Sequence, residues 1–429
     1  MSSISGETEG SGVAAVQRAH ENEVGGHVPG LTEQELDVAR SARFDLGAGY
    51  PQFSAPEFVR VSYRDDRLED LSLLSAPAWD HSKQRKVDAD LVSAVKGILG
   101  IEDPSVPSEV RATFSGSVAV DRAIMACVAQ SRSRGATTLE VITTSPSIDI
   151  MRDFLEERSD IRTAYIDCGS GDKFPALRVD ALLERLKDEP REGQSQAVLL
   201  TSPENPTGEC WTSDELINIA ECCRDLDATL VIDHCFLVAG VQSKIPSAIW
   251  DHFDRLDNWI GIWDTGKTCG LNGDKLGFII ASEGMAPFVD DALRVLQFDV
   301  SRRQKLFFSE LLRFSDYYDY LLQLRSLCEV NLDTLATKLA GSGASVLRPG
   351  AGTLALVQLP PGLHDVAVQS RLLEAGIGVV TGSSFFHGTL NRSDLIRVAL
   401  ARDSDEFNSA CELMRNALEA MMTPEQVVD

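Results

Sequence analysis

Lys267 directly follows an apolar stretch, residues 259–263, that is typical of a buried strand. A lysine at the end of a buried strand is costly unless it is neutral, paired or used covalently. Asp233 stands at the equivalent point of a second apolar run, residues 229–232. An amine used as a nucleophile can form a Schiff base with a carbonyl compound, and a nearby carboxylate can hold a positive charge on that compound.

Two polar turns add to this pair. Ser115, Gly116 and Ser117 precede a predicted helix, where small residues and free backbone N–H groups can hold a phosphate. Asn205 begins an Asn-Pro-Thr-Gly sequence after a predicted strand and can donate to a phenolic oxygen. A lysine, a carboxylate, a phosphate turn and an amide are together what a protein needs to hold pyridoxal 5′-phosphate (PLP).

Each of these features also has an ordinary explanation when it is taken alone. The lysine is then a solvated residue after a strand, the Ser-Gly-Ser turn is a helix N-cap, and the Asn-Pro sequence is a plain turn. Their occurrence together in this order favours a shared PLP site. The elements that position them must therefore bring distant parts of the chain to one edge of a sheet.

The composition limits the function classes. The chain has 429 residues, which predicts two or more domains, and 43% of them are hydrophobic. The formal net charge of −25 argues against a general nucleic-acid or anionic-membrane surface. No apolar run reaches membrane-span length, and the N-terminus has no signal-peptide pattern, so we expect a cytoplasmic protein. The nine cysteines show no metal-binding spacing, so we expect reduced thiols and no metal site.

Helices and strands alternate from about residue 112 to 282, and several strands are continuous apolar runs. This pattern predicts an α/β fold with a mostly parallel sheet covered on both faces. Such sheets bind ligands at the carboxyl ends of their strands, where Lys267, Asp233 and Asn205 all fall. We expect a polar N-terminal arm (1–43), partly disordered and with a helix near 32–42 that can cover the site. A large domain (44–295), whose first part contributes to the small domain, and a smaller α+β domain (296–429) follow. One long helical stretch is predicted from Met285 to near Leu339.

Seven motifs in order resemble the class I/II aminotransferase family of fold-type I PLP enzymes, over about residues 44–425. They are residues 44–53, 205–208, 233–236, 264–267, Lys275, 382–385 and 396–398. The resemblance implies an aspartate-aminotransferase-like fold and a homodimer with shared active sites. It also implies that Gly49, Asn205 and Arg397 contact the substrate, with Arg397 as the bidentate clamp on its carboxylate. Arg402 is a rival for that role.

The resemblance also implies a set of residues around the cofactor, and several depart from the family pattern. The set is Ser115, Gly116, Ser117, Ile148, Asn205, Asp233, Cys235, Asp264, Lys267 and Lys275. Phe236 stands where the family has a tyrosine donor, with the weakly donating Cys235 before it. Ile148 replaces a stacking aromatic residue, Asp264 a hydroxyl, and Lys275 an arginine.

Two segments together, Asp-Thr-Gly-Lys at residues 264–267 and Asp-His-Cys-Phe at residues 233–236, resemble a natural-product subgroup that includes PLP-dependent arginine oxidases, hydroxylases and related cyclases. That subgroup has a Gly-His segment that folds over the site. His27, in a Gly-Gly-His sequence, is therefore either a proton-transfer residue or an ordinary residue of the arm.

The resemblance implies an enzyme, a transferase or lyase, that acts on a free L-α-amino acid through an external aldimine and a quinonoid. Lys267 would take the Cα proton. We expect a tailoring step in natural-product synthesis, by elimination, replacement, cyclisation or oxidation. An ordinary aminotransferase is the first alternative. A non-catalytic PLP-binding regulator is the second, but such regulators carry a preceding DNA-binding domain that a short acidic arm does not supply.

Overall fold

The computed structural model describes residues 31–52, 81–101, 108–169, 174–188, 190–244, 246–251, 256–297, 299–313, 315–388 and 392–423. The helices of these residues are α1 (Leu31–Ser41), α2 (His81–Ile98), α3 (Gly116–Ser133), α4 (Asp149–Glu156), α5 (Val179–Lys187), α6 (Ser213–Asp225), α7 (Ala286–Leu296), α8 (Arg302–Leu311), α9 (Ser315–Leu339), α10 (Asp365–Glu374) and α11 (Ser404–Met422). Within this described part, none of the helices has both the length and the apolar character required to cross a bilayer.

The strands of the same residues are β1 (Phe44–Asp45), β2 (Ser108–Thr113), β3 (Thr138–Ser145), β4 (Ile161–Asp167), β5 (Gln194–Thr201), β6 (Thr229–Asp233), β7 (Val241–Gln242), β8 (Trp259–Asp264), β9 (Gly277–Ser282), β10 (Ser345–Leu347), β11 (Ala351–Gly352), β12 (Leu354–Gln358), β13 (Ile377–Gly378), β14 (Val380–Thr381) and β15 (Leu395–Ala399).

A seven-stranded sheet forms the first part of the fold, in the order β2-β9-β8-β6-β5-β3-β4. The neighbours from β8 to β4 are parallel, and β9 runs antiparallel to both β2 and β8. Every residue of β6, β8 and β9 is buried, which explains why these strands are continuous apolar runs in the sequence. The predicted mostly parallel α/β fold is confirmed.

Three neighbouring strands of this sheet end side by side. Thr201 at the end of β5 pairs with Asp233 at the end of β6, and Asp233 pairs with Ile262 of β8. Since β8 continues to Asp264, the segment that carries Lys267 begins at the same edge. Parallel pairing thus brings Asp233, Lys267 and the Asn205 turn together, as their positions after apolar runs predict.

A second, antiparallel sheet lies in the C-terminal part, in the order β10-β12-β15-β14. Arg397 stands in the middle of β15, paired with Leu356 on one side and Val380 on the other. The short strand β1 pairs in parallel with β13, which ties the N-terminal segment to the C-terminal part. The limits expected for the two domains, near residues 44 and 296, stay a prediction.

The predicted long helix from Met285 to Leu339 is wrong, because three helices replace it. Helix α7 ends before Gln297, whose backbone is extended and whose side chain donates to the Ala112 carbonyl. After this break the chain turns, and α8 packs against α2 while α7 packs against α3. The buried Lys305 of α8 then pairs with Asp88 and Asp299, each at 2.5 Å. Helix α7 can therefore pack against α3 while α8 packs against α2, which one straight helix could not do.

Candidate active site

A cavity of about 320 Å³ lies at the carboxyl ends of β5, β6 and β8. The predicted site residues that line it are Gly116, Ser117, Ile148, Asn205, Asp233, Cys235, Asp264, Lys267 and Lys275. The other lining residues are Glu35, Leu36, Ala39, Tyr50, Val120, Thr201, Phe236 and Asn272. The structure therefore brings most of the predicted cofactor-binding set around one space.

A larger cavity, of about 650 Å³, lies between α2, β2 and α7, and it does not include these residues. Its cationic lining residues have ion-pair partners: Arg111 bonds to Asp290 at 2.7 Å, Arg294 to Asp291 at 3.0 Å, and Lys305 to Asp88 and Asp299. Because these charges already have partners, the smaller cavity is the better candidate for chemistry.

Lys267 lies in a tight turn after β8. Asp264 accepts a hydrogen bond from the Lys267 backbone N–H at 3.2 Å, and Thr265 is bonded to Leu276 through both its backbone and its hydroxyl. The Lys267 Nζ lies 5.6 Å from the centroid of the Phe236 ring, which is within cation–π range. The turn therefore fixes the lysine backbone while its amine stands in the cavity beside an apolar ring.

Asp233 lines the cavity at the end of β6, where the residue is 8% exposed. Its carboxylate accepts a hydrogen bond from the Cys235 backbone N–H at 2.9 Å. Burial raises the pKa of Asp233, and the negative charge of Asp264 adds to that effect, while Lys267 opposes it. A bound cation, such as a protonated ring nitrogen, would stabilise the charged form of this carboxylate.

His234, next to Asp233, bonds through its two ring nitrogens to the turn after β5 and to the turn at Ile249. Its Nδ1 lies 2.9 Å from the Ser202 carbonyl oxygen, and its Nε2 lies 3.1 Å from the Ile249 backbone N–H. Because a carbonyl can only accept and a backbone N–H can only donate, the ring is neutral with its proton on Nδ1. Burial lowers the pKa of His234 to about 4. The ring therefore fixes the Ser202 turn beside Asp233 and carries no charge at neutral pH.

The Ser-Gly-Ser turn begins α3 at the other end of the cavity. Ser115 is the N-cap, and its hydroxyl accepts a hydrogen bond from the Val118 backbone N–H at 3.2 Å. A Cβ on Gly116 would lie 2.7 Å from an oxygen of Asp264 and 3.0 Å from the sulfur of Cys235. Gly116 thus lets the side chains of Asp264 and Cys235 pack against the first residue of α3, where a side chain would collide with them.

Lys275 supplies a cation at the same end, with its amine 2.9 Å from the Asn272 side-chain oxygen. The helix N-terminus and Lys275 suit a phosphate, Asp233 suits a ring nitrogen, and Lys267 lines the same cavity. The residues present therefore fit PLP. Burial raises the pKa of Cys235 well above its usual value, so its thiol is neutral and donates only weakly.

The two candidate carboxylate clamps have different surroundings. Arg402 donates to the backbone carbonyls of Asp45 and Ala48 at 2.6 Å each, and of Tyr50 at 2.9 Å, so it holds the segment that contains Gly49. Arg397 is fully buried and donates to the side-chain oxygen of Asn205 at 3.2 Å. Arg402 is thus an anchor of the backbone, and Arg397 is the arginine beside the cavity.

Arg397 has a further partner that the sequence did not predict. Its Nη2 donates to the Glu35 carboxylate at 2.7 Å, and Glu35 lines the cavity whereas Arg397 does not. A Cβ on Gly49 would lie 3.9 Å from both this carboxylate and the Lys267 amine. Glu35 therefore stands near the Lys267 amine and between Arg397 and the cavity.

Helix α1, which carries Glu35, is held against the C-terminal part of the chain by the hydrogen bonds of one buried side chain. The buried Gln34 side chain donates to the Ser384 hydroxyl at 2.5 Å and accepts from Gln369 at 2.9 Å and from the Thr381 backbone at 3.2 Å. No sequence signal distinguishes Glu35 from the other acidic residues of this helix. His27, the predicted proton-transfer residue of the arm, lies outside the described residues.

Comparison with known proteins decides the family. Residues 83–413 match the model of the aminotransferase class I and II family. The chain belongs to this family. Pyridoxal 5′-phosphate is its cofactor, in agreement with the donor set around the cavity.

Individual relatives are distant. A probable aspartate/prephenate aminotransferase from Aquifex aeolicus is 22% identical over 246 residues, which cover 55% of this chain and 60% of that relative. YbdL from Escherichia coli, for which a methionine aminotransferase function is described, superimposes with a TM-score of 0.74 at 18% identity over 91% of this chain and 97% of its own. The structure of MppP soaked with the product 2-ketoarginine has a TM-score of 0.68 at 19% identity over 88% of this chain and 100% of its own. These structural likenesses show the fold.

The neutral His234 predicts an acid-sensitive stability. A base whose pKa is lowered on folding takes up its proton more readily when unfolded, so its contribution is complete above pH 6.5 and is lost as the pH falls toward 4. The loss amounts to about 3 kcal/mol. His234→Gln keeps one donor and one acceptor without titrating, so its unfolding midpoint should fall less steeply between pH 7 and pH 4.5. Equal slopes in thermal melts of both proteins would contradict the assignment.

If Lys267 holds the cofactor covalently, the purified protein should have a characteristic visible absorption. The wild-type protein with PLP should show a visible absorption band from the lysine-bound cofactor, which borohydride removes. Lys267→Ala should lack this band, while Lys244→Ala, which removes a half-exposed lysine paired with Glu209, should keep it. A colourless wild-type protein, or a band that persists in Lys267→Ala, would overturn the assignment.

Proposed function

We propose that this protein is a PLP-dependent enzyme that acts on a free L-α-amino acid in a tailoring step of natural-product synthesis. The observation that carries this proposal is the convergence of Lys267, Asp233 and Asn205 with the start of α3 around one cavity. The reaction would be an elimination, replacement, cyclisation or oxidation. The proposal includes a homodimer with shared active sites, which is usual in the family.

Each residue of the site has a separate role in this proposal. Lys267 is the covalent anchor of the cofactor and the base that takes the Cα proton. Asp233 holds the ring nitrogen in its protonated form, and Asn205 donates to the ring oxygen. Arg397 binds the substrate carboxylate. When bound, PLP supplies a sink for the electrons of the broken Cα–H bond.

Two departures around the ring, at Phe236 and Ile148, favour a tailoring step over simple transamination. Phe236 offers an apolar ring, 5.6 Å from the Lys267 amine, where the family pattern has a hydroxyl donor. The neutral thiol of Cys235 does not replace that donor. Ile148 packs against Val380 and Phe385 and lines the cavity without an aromatic face. These changes remove a hydrogen-bond donor to the ring oxygen and an aromatic face beside the ring. The reaction that follows loss of the Cα proton depends on such contacts with the ring.

Relatives support both outcomes. MppP, whose product 2-ketoarginine is arginine with its amino group replaced by a ketone, supports a free amino acid as the substrate, and this loss of the amino group fits an oxidation as well as a transamination. The functions given for the Aquifex and Escherichia relatives favour an ordinary aminotransferase as the second candidate. The state of the cofactor after one turnover separates the two candidates.

The test is a screen of the holoenzyme against each of the twenty L-amino acids in air, with the cofactor analysed after the reaction. A tailoring enzyme should consume at least one amino acid while PLP stays in its aldehyde form. Phe236→Tyr, which adds one hydroxyl, should increase formation of the amine form of the cofactor about tenfold, the usual effect of one hydrogen bond to a charged group.

An ordinary aminotransferase gives the opposite result. The wild-type cofactor would convert stoichiometrically to its amine form, and a 2-oxo acid would convert it back. That result would contradict the tailoring proposal and leave the assignment of the site residues intact.

A further inference from the structure

Glu35 occupies the position that a substrate carboxylate would need. Its oxygen lies 2.7 Å from Nη2 of Arg397, the arginine that the proposed function assigns to the substrate carboxylate. The Glu35 side chain is 25% exposed and lines the cavity, while the Arg397 side chain is 1% exposed. A carboxylate of the chain itself is therefore bound where the ligand would be bound.

We infer that Glu35 closes the carboxylate subsite of the ligand-free enzyme, and that the substrate enters by displacing Glu35 from Arg397. The inference rests on the proposed role of Arg397. Glu35 is then an affinity-determining residue: the substrate must compete with it, so it raises the apparent dissociation constant of every carboxylate ligand.

The burial of Arg397 explains why an internal carboxylate is present. A buried guanidinium without a charged partner is strongly destabilising. Among the described residues, its other hydrogen-bond partners are Asn205 and the Gly47 carbonyl, which are neutral. Glu35 neutralises the arginine while the site is empty, and a substrate carboxylate neutralises it when the site is filled. The exchange keeps one ion pair throughout.

The hydrogen bonding of Arg397 indicates how a ligand carboxylate can displace Glu35. Glu35 contacts a single nitrogen of the guanidinium with one oxygen. The buried Nε of Arg397 has no hydrogen-bond partner within the described ranges of the chain. A free carboxylate can bond to two guanidinium nitrogens at once, which is a stronger arrangement than a single contact. The arginine thus retains a donor that Glu35 leaves unused.

Helix α1 also supplies a matched control. Glu33 lies on the same helix, two residues from Glu35, but is exposed to solvent. Glu33→Gln and Glu35→Gln remove the same charge from the same helix. Only the second variant removes the competitor of the ligand, so a difference between them separates local competition from a general change in charge.

The test measures the binding of propionate, a carboxylate without an amine, to the PLP-loaded enzyme by calorimetry. Glu35→Gln should bind propionate about tenfold more tightly than wild type, because a neutral amide holds the arginine less strongly than a carboxylate does. Glu33→Gln should bind it as wild type does. Glu35→Asp, whose shorter side chain holds the same charge farther from Arg397, should also bind more tightly and serves if Glu35→Gln folds poorly.

Two further outcomes distinguish a failure of this inference from a failure of the proposed function. Equal or weaker propionate binding by both Glu35 variants, with binding lost in Arg397→Lys, would overturn the inference and leave Arg397 as the clamp. Propionate binding that is unchanged in Arg397→Lys would overturn the role of Arg397 itself, and the inference with it.

Discussion

Parallel pairing of β5, β6 and β8 is the constraint on which the rest of the site depends. The pairing of Thr201 with Asp233, and of Asp233 with Ile262, fixes how far each strand extends at this edge of the sheet. The Asn205 turn, Asp233 and the Lys267 turn follow from it, because each begins where its strand ends. The neutral ring of His234, which follows β6, then ties the end of β6 to the end of β5 through its hydrogen bond to Ser202.

Burial of charge is the second constraint, since the site collects several ionised groups in a space of about 320 Å³. Burial raises the pKa of Asp233, which a cationic ligand would reverse. Arg397 is a buried cation, and the Glu35 carboxylate neutralises it. Asp233 thus suits the positive ring nitrogen of the cofactor, and Arg397 suits a negative carboxylate.

The sequence predicted the parts of this arrangement that depend on local pattern. Lys267 and Asp233 follow short apolar runs that alternate with helical patterns, so the sequence indicates buried parallel strands and the meeting of these residues at one sheet edge. Glu35 was missed because its role depends on where α1 packs, and nothing in an acidic helix marks one carboxylate as buried against an arginine. The break at Gln297 was missed for the same reason, since tertiary contacts of Gln297 and Lys305 override a continuous helical pattern. The sequence already favoured Arg397 over Arg402, and the structure adds that Arg402 is bonded to backbone carbonyls.

The central claim is that Lys267 takes the Cα proton of an amino acid held at this site. The most direct measurement is proton NMR of each L-amino acid in D₂O with the PLP-loaded enzyme, which follows the Cα–H signal. At least one amino acid should lose this signal with the wild-type enzyme and keep it with Lys267→Ala. Loss of the signal at the same rate with Lys267→Ala, or consumption of an amino acid with its Cα–H retained, would contradict the account.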